Sequence, residues 1–222
     1  MLVLTNYNIS LEVLQQAQRE LPTIDFKFTI NKPTGNFFYD PWEIKPEFKG
    51  TVWEKMLSVL PAEIGEARLI VLKPASCYHV HGDIDDRYHL NITGDHSYIV
   101  DLTTNTLYHT QQDAMWYEMD AGPVHSAVNF GVVDRIQLVV RKLLISNVLE
   151  TPVRVSIISE GLAKDDSRFL FDSSLSTWLN RASKNKIISN FSYNNSKVIF
   201  DIDSQHVSEL EKIIPKKLRL VI

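Results

Sequence analysis

Short strand-like segments follow one another closely between Cys77 and Leu144, and this succession constrains the fold more than any other feature. Turn residues such as Gly94-Asp95 and Thr104-Asn105 separate the segments. Strands are predicted at residues 77–81, 88–91, 98–102, 106–109, 114–118, 125–129 and 136–144. Repeated short strands are typical of a barrel or a double-sheet jelly roll, so we expect a mainly β fold. In the last strand, the apolar run Leu138-Val139-Val140 predicts burial on both faces.

Two helices are predicted ahead of these strands. Residues 11–21 have apolar side chains at helical spacing, with Ser10 as cap and Pro22 as the end. A capping box, Thr51 to Glu54, opens a second short helix. Between the helices, residues 31–50 form an aromatic, proline-rich loop that either packs on the barrel wall or lines the substrate entrance. Further short strands are predicted at residues 2–5, 24–30 and 67–72.

The pattern changes after residue 150. A strand at 153–159, a helix at 167–181, strands at 187–193 and 197–202, a helix at 204–214 and a strand at 218–222 are predicted. This β-α-β-β-α-β order matches the ferredoxin-like motif. A chain of 222 residues can hold one large or two small domains. We therefore predict a β domain at 1–150 with N-terminal helices and a small α+β domain at 151–222.

The chemically informative residues lie among the first group of strands. His81 and Asp83 are two residues apart, so in a strand they would point to the same face. Together with His125 from another strand they could form the set of two imidazoles and one carboxylate that binds Fe(II) in non-haem oxygenases. His79 is the main alternative to His81 as a ligand, and if it is not a ligand it would lie behind the ligands or close to the substrate. Arg135 follows His125 by ten residues, and its guanidinium could pair with the carboxylate of an acidic cosubstrate.

At these residues the chain resembles the 2-oxoglutarate-dependent Fe(II) dioxygenases, and among them the aspartyl/asparaginyl β-hydroxylase-like branch. That branch carries Arg-x-His-Leu after the first iron histidine, matched here by Arg87-Tyr88-His89-Leu90. It also has an acidic turn before the distal histidine, here around Asp120, then an Asn and an Arg that match Asn129 and Arg135. The likeness covers roughly residues 66–142, about a third of the chain.

The resemblance implies a double-stranded β-helix (cupin-like jelly roll) and a set of site residues. His81, Asp83 and His125 would hold Fe(II), and Arg135 would bind the far carboxylate of 2-oxoglutarate. Arg87 and His89 would help to hold 2-oxoglutarate, although a structural pairing of Arg87 with Asp85 or Asp86 is open. Asn91 and Asn129 would lie near the site, and Asp120 would shape the turn before His125. One departure is that the hydroxylase naming the branch has Gly where this chain has Asp83.

The expected activity is hydroxylation of an unactivated C–H bond with release of succinate and CO2. The substrate could be an Asp or Asn side chain of a protein or peptide, or a small molecule. Two alternatives are a metal-dependent cupin-type enzyme without 2-oxoglutarate and a non-enzymatic barrel that serves as a binding module. The C-terminal domain has no catalytic pattern, so we expect it to bind a partner or substrate, or to form a homodimer.

Composition limits the partners and the compartment. A net charge of −4 argues against a nucleic-acid-binding surface. Neither a signal peptide nor a membrane span is indicated, because no apolar run approaches the roughly 20 residues that cross a bilayer. The single cysteine, Cys77, excludes a disulfide within the chain and suits the cytoplasm. Cys77 itself is expected to be a small buried residue in a strand.

Overall fold

The computed structural model describes residues 1–22, 27–159, 173–194, 197–215 and 218–222. Over these residues the chain is mainly β, with several antiparallel sheets and few helices. Part of the strand predicted at 24–30 lies outside the described residues, as does the start of the helix predicted at 167–181. Within the described ranges, no helix is both long and apolar enough to cross a membrane.

Twelve strands and two α-helices are described before residue 150. The strands are β1 (Leu2–Asn8), β2 (Lys27–Thr29), β3 (Asn31–Pro33), β4 (Trp42–Ile44), β5 (Ile64–Leu72), β6 (Ser76–Cys77), β7 (Arg87–Thr93), β8 (Ser97–Asp101), β9 (Thr106–His109), β10 (Met115–Met119), β11 (His125–Asn129) and β12 (Arg135–Lys142). The helices are α1 (Leu11–Arg19) and α2 (Val52–Leu57), with a 3₁₀ turn at Pro46–Phe48.

These strands form two main antiparallel sheets and one hairpin. The large sheet has the order β1-β10-β7-β12-β5-β2, and the small sheet has the order β6-β11-β8-β9. The hairpin pairs β3 with β4 inside the segment that the sequence predicts as a loop. Both of its strands are only three residues long, and prolines at 33 and 41 lie at their ends, so the pattern resembles a loop.

The two faces of the large sheet have different surroundings. In β12, Leu138 and Val140 are fully buried in a core that also contains residues of α1 and α2. Arg135, Gln137 and Val139 alternate with them and line a cavity on the other face. The apolar run is therefore buried on both faces, as the sequence predicts.

Strand β6 is shorter than predicted, and this changes the position of Cys77. The prediction covers residues 77–81, but β6 ends at Cys77, and after it only His81 is bridged to His125. Cys77 is exposed, so the expectation of a buried cysteine is wrong. Its neighbour Tyr78 lines the cavity, and consecutive residues of an extended chain point in opposite directions, so Cys77 faces outward.

The C-terminal part follows the predicted order β-α-β-β-α-β. Its elements are β13 (Pro152–Ser159), α3 (Ser173–Lys184), β14 (Ile188–Asn194), β15 (Lys197–Asp203), a 3₁₀ turn (Ser204–His206), α4 (Val207–Ile213) and β16 (Leu218–Val221). The antiparallel C-terminal sheet has the order β14-β15-β13-β16. Its core includes Phe38 and Ile84 from the first 150 residues, so the two parts of the chain share buried contacts.

Candidate metal centre

Three of the predicted site residues meet at one point of the structure. His81, Asp83 and His125 each offer a ligand atom, and these atoms lie within 4.8 Å of one another. Oδ2 of Asp83 is 3.7 Å from Nε2 of His81 and 3.5 Å from Nε2 of His125. One ion could contact all three atoms, so the group could hold a metal ion.

The backbone brings these side chains together. His81 and His125 face each other in an isolated antiparallel bridge, in which each N–H donates to the other residue's carbonyl at 2.9 and 2.8 Å. Their rings are consequently neighbours, with centroids 4.5 Å apart. Asp83 lies beyond the bridge, where its N–H donates to the carbonyl of Ala121 at 2.8 Å. A bridge and a loop therefore place the group, rather than the regular strand that the sequence predicts.

Hydrogen bonds to the backbone set the tautomer of both imidazoles. Nδ1 of His81 is 2.9 Å from the carbonyl oxygen of His79, and Nδ1 of His125 is 2.8 Å from that of Pro123. A carbonyl only accepts, so each Nδ1 carries a proton, and in the neutral form of each ring Nε2 presents a lone pair. This arrangement is the usual one for a histidine that binds a metal through Nε2.

The lone pairs of the two imidazoles meet a carboxylate oxygen. Oδ2 of Asp83 is buried and has no hydrogen-bond partner among the described residues. Three acceptor atoms that face one another repel unless a metal ion or an added proton lies between them. The donors fit a divalent metal, and two imidazoles with one carboxylate are the set that binds Fe(II) with positions left open for other ligands.

The electrostatic surroundings keep Asp83 and His81 in the protonation states that a metal requires. Burial acts to raise the pKa of Asp83, but the Arg87 guanidinium holds that pKa well below its usual range. Burial lowers the pKa of His81, although Asp83 opposes this shift. Asp83 is thus anionic and His81 is neutral at neutral pH.

The group opens into a cavity of about 390 Å³, within the range of small-molecule sites. Residues of both the large and the small sheet line it. Four cationic side chains are in its wall: Lys27, Arg68, Arg87 and Arg135. Which of these charges is available to an anionic ligand depends on the partners that each already has.

Three of these four cations are already paired with carboxylates. Lys27 and Arg68 both contact Glu66, at 2.6 and 2.7 Å. Arg87 donates to Oδ1 of Asp83 at 2.6 Å. The resemblance assigns Arg87 to the cosubstrate, whereas its closest partner in the structure is the candidate metal ligand. Asp85 is 3.8 Å from Arg87 and is held more closely by Arg141.

Arg135 is the exception. It is 3% exposed, and no carboxylate in the described part of the chain lies within ion-pair distance of it. Its Nη2 donates to Oε1 of Gln137, and its Nε has no partner among the described residues. Burial lowers its pKa to about 10, so the guanidinium remains charged at neutral pH. A buried cation without an anion is costly, and a ligand carboxylate would satisfy it.

Gln137 is a site residue that the sequence reasoning missed. It is 1% exposed, lies in the cavity wall, and has an Nε2 without a partner among the described residues. Its Oε1 accepts from Arg135 and from Nδ1 of His89 at 3.1 Å, so His89 holds the amide in this orientation. A Gln within an apolar strand, two residues after Arg135, is the signal that could have revealed it.

His89 lies deep in the same wall. It is 8% exposed, and burial lowers its pKa to about 3, so its imidazole is neutral. Because Nδ1 donates to Gln137, Nε2 is left as a buried acceptor without a partner in the described chain. In this tautomer Nε2 of His89 has no proton to donate to an anion, and Nδ1 contacts Gln137 instead.

The remaining predicted residues have other positions. Asn91 donates to the carbonyls of Gly94 and Thr110. Asn129 donates to those of Leu72 and Val133. Neither asparagine is in the cavity wall. Asp120 accepts from the N–H of Gly122 at 3.3 Å and so shapes the turn before His125, as predicted. His79 is exposed at the cavity, with its ring centroid 5.1 Å from that of His81, and it is not part of the ligand group.

Comparisons with known proteins give no family. No protein-family model and no curated protein matches the chain. Among the solved structures that match is CapF with the inhibitor 3-isopropenyl-tropolone, at a TM-score of 0.30 and 14% sequence identity. The match covers 61% of this chain and 42% of that chain, so it spans less than half the length of CapF.

Proposed function

We propose that this chain is an Fe(II)- and 2-oxoglutarate-dependent oxygenase. His81, Asp83 and His125 would hold the iron, and Arg135 with Gln137 would bind the far carboxylate of 2-oxoglutarate. One observation carries the proposal: a buried guanidinium that lacks a carboxylate partner in the described chain shares a cavity with a two-histidine, one-carboxylate group. A metal and an acidic cosubstrate together satisfy both features.

The proposal includes the domain arrangement. Residues 1–150 would form a double-stranded β-helix from the large and small sheets, with the site in the cavity between them. Residues 151–222 would form a small ferredoxin-like domain, supported by the sheet order β14-β15-β13-β16 and by an apolar core made mainly of its own residues.

Each group of the protein would have a definite part in the reaction. When bound, iron and 2-oxoglutarate supply the oxidation: 2-oxoglutarate and O2 give succinate, CO2 and one oxygen atom inserted into a substrate C–H bond. His81, Asp83 and His125 fix the metal with positions left open, and Arg87 keeps Asp83 anionic. Arg135 and Gln137 orient the dicarboxylate, and the buried walls exclude water from it. The substrate would be an Asp or Asn side chain of a peptide or protein, or a small molecule.

The test compares the wild type with two variants by succinate formation from 2-oxoglutarate with added Fe(II). We expect succinate from the wild type, none from His125→Ala, and a higher KM for 2-oxoglutarate in Arg135→Gln. Arg154→Gln is the matched control, because Arg154 is 59% exposed in the C-terminal sheet. Circular dichroism establishes that each variant is folded.

Mn(II) titration separates the oxygenase from its alternatives. We expect 2-oxoglutarate to tighten Mn(II) binding in the wild type and to lose this effect in Arg135→Gln. Mn(II) binding that is insensitive to 2-oxoglutarate would contradict the oxygenase and favour a metal enzyme without this cosubstrate. A wild-type protein that binds no Mn(II) would contradict both and favour the binding module.

A further inference from the structure

We propose that helix α3 positions the candidate metal centre by holding two loops, one that contains Asp83 and one that leads into His125. The first ligand loop is residues 82–86, which includes Asp83. The second ligand loop is residues 120–124, and it is followed directly by His125, the first residue of β11. The inference rests on the proposed metal site and gives the C-terminal part of the chain a role within it.

The first ligand loop is bound by Asn180 of α3. Nδ2 of Asn180 donates to the carbonyl of Ile84 at 2.9 Å and to Oδ1 of Asp86 at 3.3 Å. Asn180 is only 2% exposed, so these bonds are protected from water. The side chain of Ile84, 5% exposed, packs in the C-terminal apolar core. Asp83 is therefore adjacent to Ile84, which contacts the C-terminal part of the chain through both its side chain and its backbone carbonyl.

The second ligand loop is bound by the same face of α3. Oγ1 of Thr177 donates to the carbonyl of Gly122 at 2.7 Å. A Cβ on Gly122 would lie 2.4 Å from Oδ1 of Asn180, so the close approach requires glycine here. This contact lies three residues before His125.

Lys184 joins the two ligand loops to each other. Its Nζ lies 2.8 Å from Oδ1 of Asp86 in the first loop and 2.7 Å from Oδ1 of Asp120 in the second. Oδ1 of Asp86 also accepts from the N–H of Ala121 at 3.3 Å. The ammonium neutralises two carboxylates that would otherwise repel one another across the gap between the loops.

The ligand geometry depends on how these loops sit together. Asp83 is in the first ligand loop and His125 directly follows the second, and Oδ2 of Asp83 must stay close to Nε2 of His125 for one ion to bind both. Ligand sets tolerate only about 0.5 Å of displacement. Groups that orient ligands typically change metal affinity by about 10–100-fold when they are removed. Asn180 and Lys184 are therefore positioning residues, although neither contacts the metal.

The experiment measures Mn(II) affinity of the full chain by electron paramagnetic resonance, at a temperature where every variant is folded. Asn180→Ala and Lys184→Met are expected to bind Mn(II) about 10-fold or more weakly. Lys184→Arg keeps the charge between Asp86 and Asp120 and is expected to restore most of the affinity.

Two controls distinguish positioning from general stability. Arg181→Ala alters an exposed residue on α3 and is expected to bind Mn(II) as the wild type does. Val198→Ala removes methyl groups from a fully buried residue of the C-terminal core that belongs to neither ligand loop, and it is expected to lower the melting temperature without weakening Mn(II) binding. Hydrogen exchange of the metal-free protein is expected to be faster in residues 82–86 and 120–124 of Asn180→Ala.

The outcomes separate this inference from the proposed function. Wild-type affinity in both Asn180→Ala and Lys184→Met would overturn the role of α3 and leave the metal site intact. If Val198→Ala weakened Mn(II) binding as much as Asn180→Ala and Lys184→Met, the effect would reflect general stability, and the role of α3 would also be overturned. A wild-type protein without Mn(II) affinity would overturn the proposed metal site itself, whatever the loops do in hydrogen exchange.

Discussion

Nη2 of Arg87 donates to Oδ1 of Asp83 at 2.6 Å, and this leaves Oδ2 facing the two imidazoles of the candidate metal centre. Both side chains are largely buried, at 12% and 16% exposure, so water screens the pair only weakly. The guanidinium fixes the rotation of the carboxylate and contributes to the depressed pKa of Asp83. Arg87 thus contacts a candidate metal ligand, whereas the resemblance assigns it to the cosubstrate.

Replacement of Arg87 by Met is therefore expected to weaken Mn(II) binding by about 10–100-fold, because Asp83 loses the group that orients it. Mn(II) titration of purified protein measures the change. Arg154→Met is the control, since Arg154 forms a comparable but exposed pair with Asp201 in the C-terminal sheet. Equal affinity in wild type and Arg87→Met would show that Asp83 is oriented by other contacts.

Buried His89 predicts a pH dependence of stability in the metal-free protein. Its pKa of about 3 lies below the ordinary value of about 6.5, because burial disfavours the charged ring. Between these values the unfolded chain binds a proton that the folded chain does not. The part of the folding stability that depends on a neutral His89 is therefore fully present above pH 6.5 and is lost as the pH falls towards 3. The slope is at most about 1.4 kcal/mol per pH unit.

The variant His89→Asn isolates that contribution, because Asn keeps a polar group close to the position of Nδ1 but does not titrate. The free energy of unfolding in urea, measured at pH 7 and pH 5 with a chelator present, is expected to fall more in the wild type than in the variant. Parallel pH curves for the two proteins would mean that burial does not lower the pKa of His89 in the folded state.

Leu138 provides a test of the core of the large sheet. It is fully buried in the central strand β12, between β5 and β7. Leu138→Ala is expected to lower the free energy of unfolding by about 2–5 kcal/mol, because it removes apolar contacts and leaves a cavity. Leu107→Ala, at a leucine that is 58% exposed in β9, is expected to change it by less than about 0.5 kcal/mol. Similar losses in both variants would contradict the burial of β12.

Local patterns predict the strands well but not the contacts that join distant segments. Strands β9 and β11 have the predicted bounds, because turn residues mark both ends of each short run. The meeting of His81, Asp83 and His125 is also predicted from their types and spacing. Their placement by a bridge and a loop is not, since His81 pairs with a residue 44 positions later.

Contacts across the chain explain the other differences. The role of Gln137 depends on Arg135 and His89, which lie on the same sheet face in two different strands. The sequence predicts β12 and β7 but does not give their register. In the same way, Asn180 is an ordinary helix residue in the sequence, and only the packing of α3 places it beside Ile84.

Gly94 links the turn after β7 to the proposed anchor for 2-oxoglutarate. Its φ of +88° is unfavourable for other residues, and an added Cβ would lie 2.7 Å from Cα of Arg135. Gly50 has a similar φ of +74° with open space around the added Cβ, so a substitution there measures the backbone cost alone.

We expect Gly50→Ala to cost about 1–2 kcal/mol in the free energy of unfolding. Gly94→Ala is expected to cost about 1–3 kcal/mol more and to raise the KM for 2-oxoglutarate, because the backbone of Arg135 must move. Urea unfolding and succinate formation measure the two effects, and equal losses of stability with an unchanged KM would show that Arg135 does not depend on this contact.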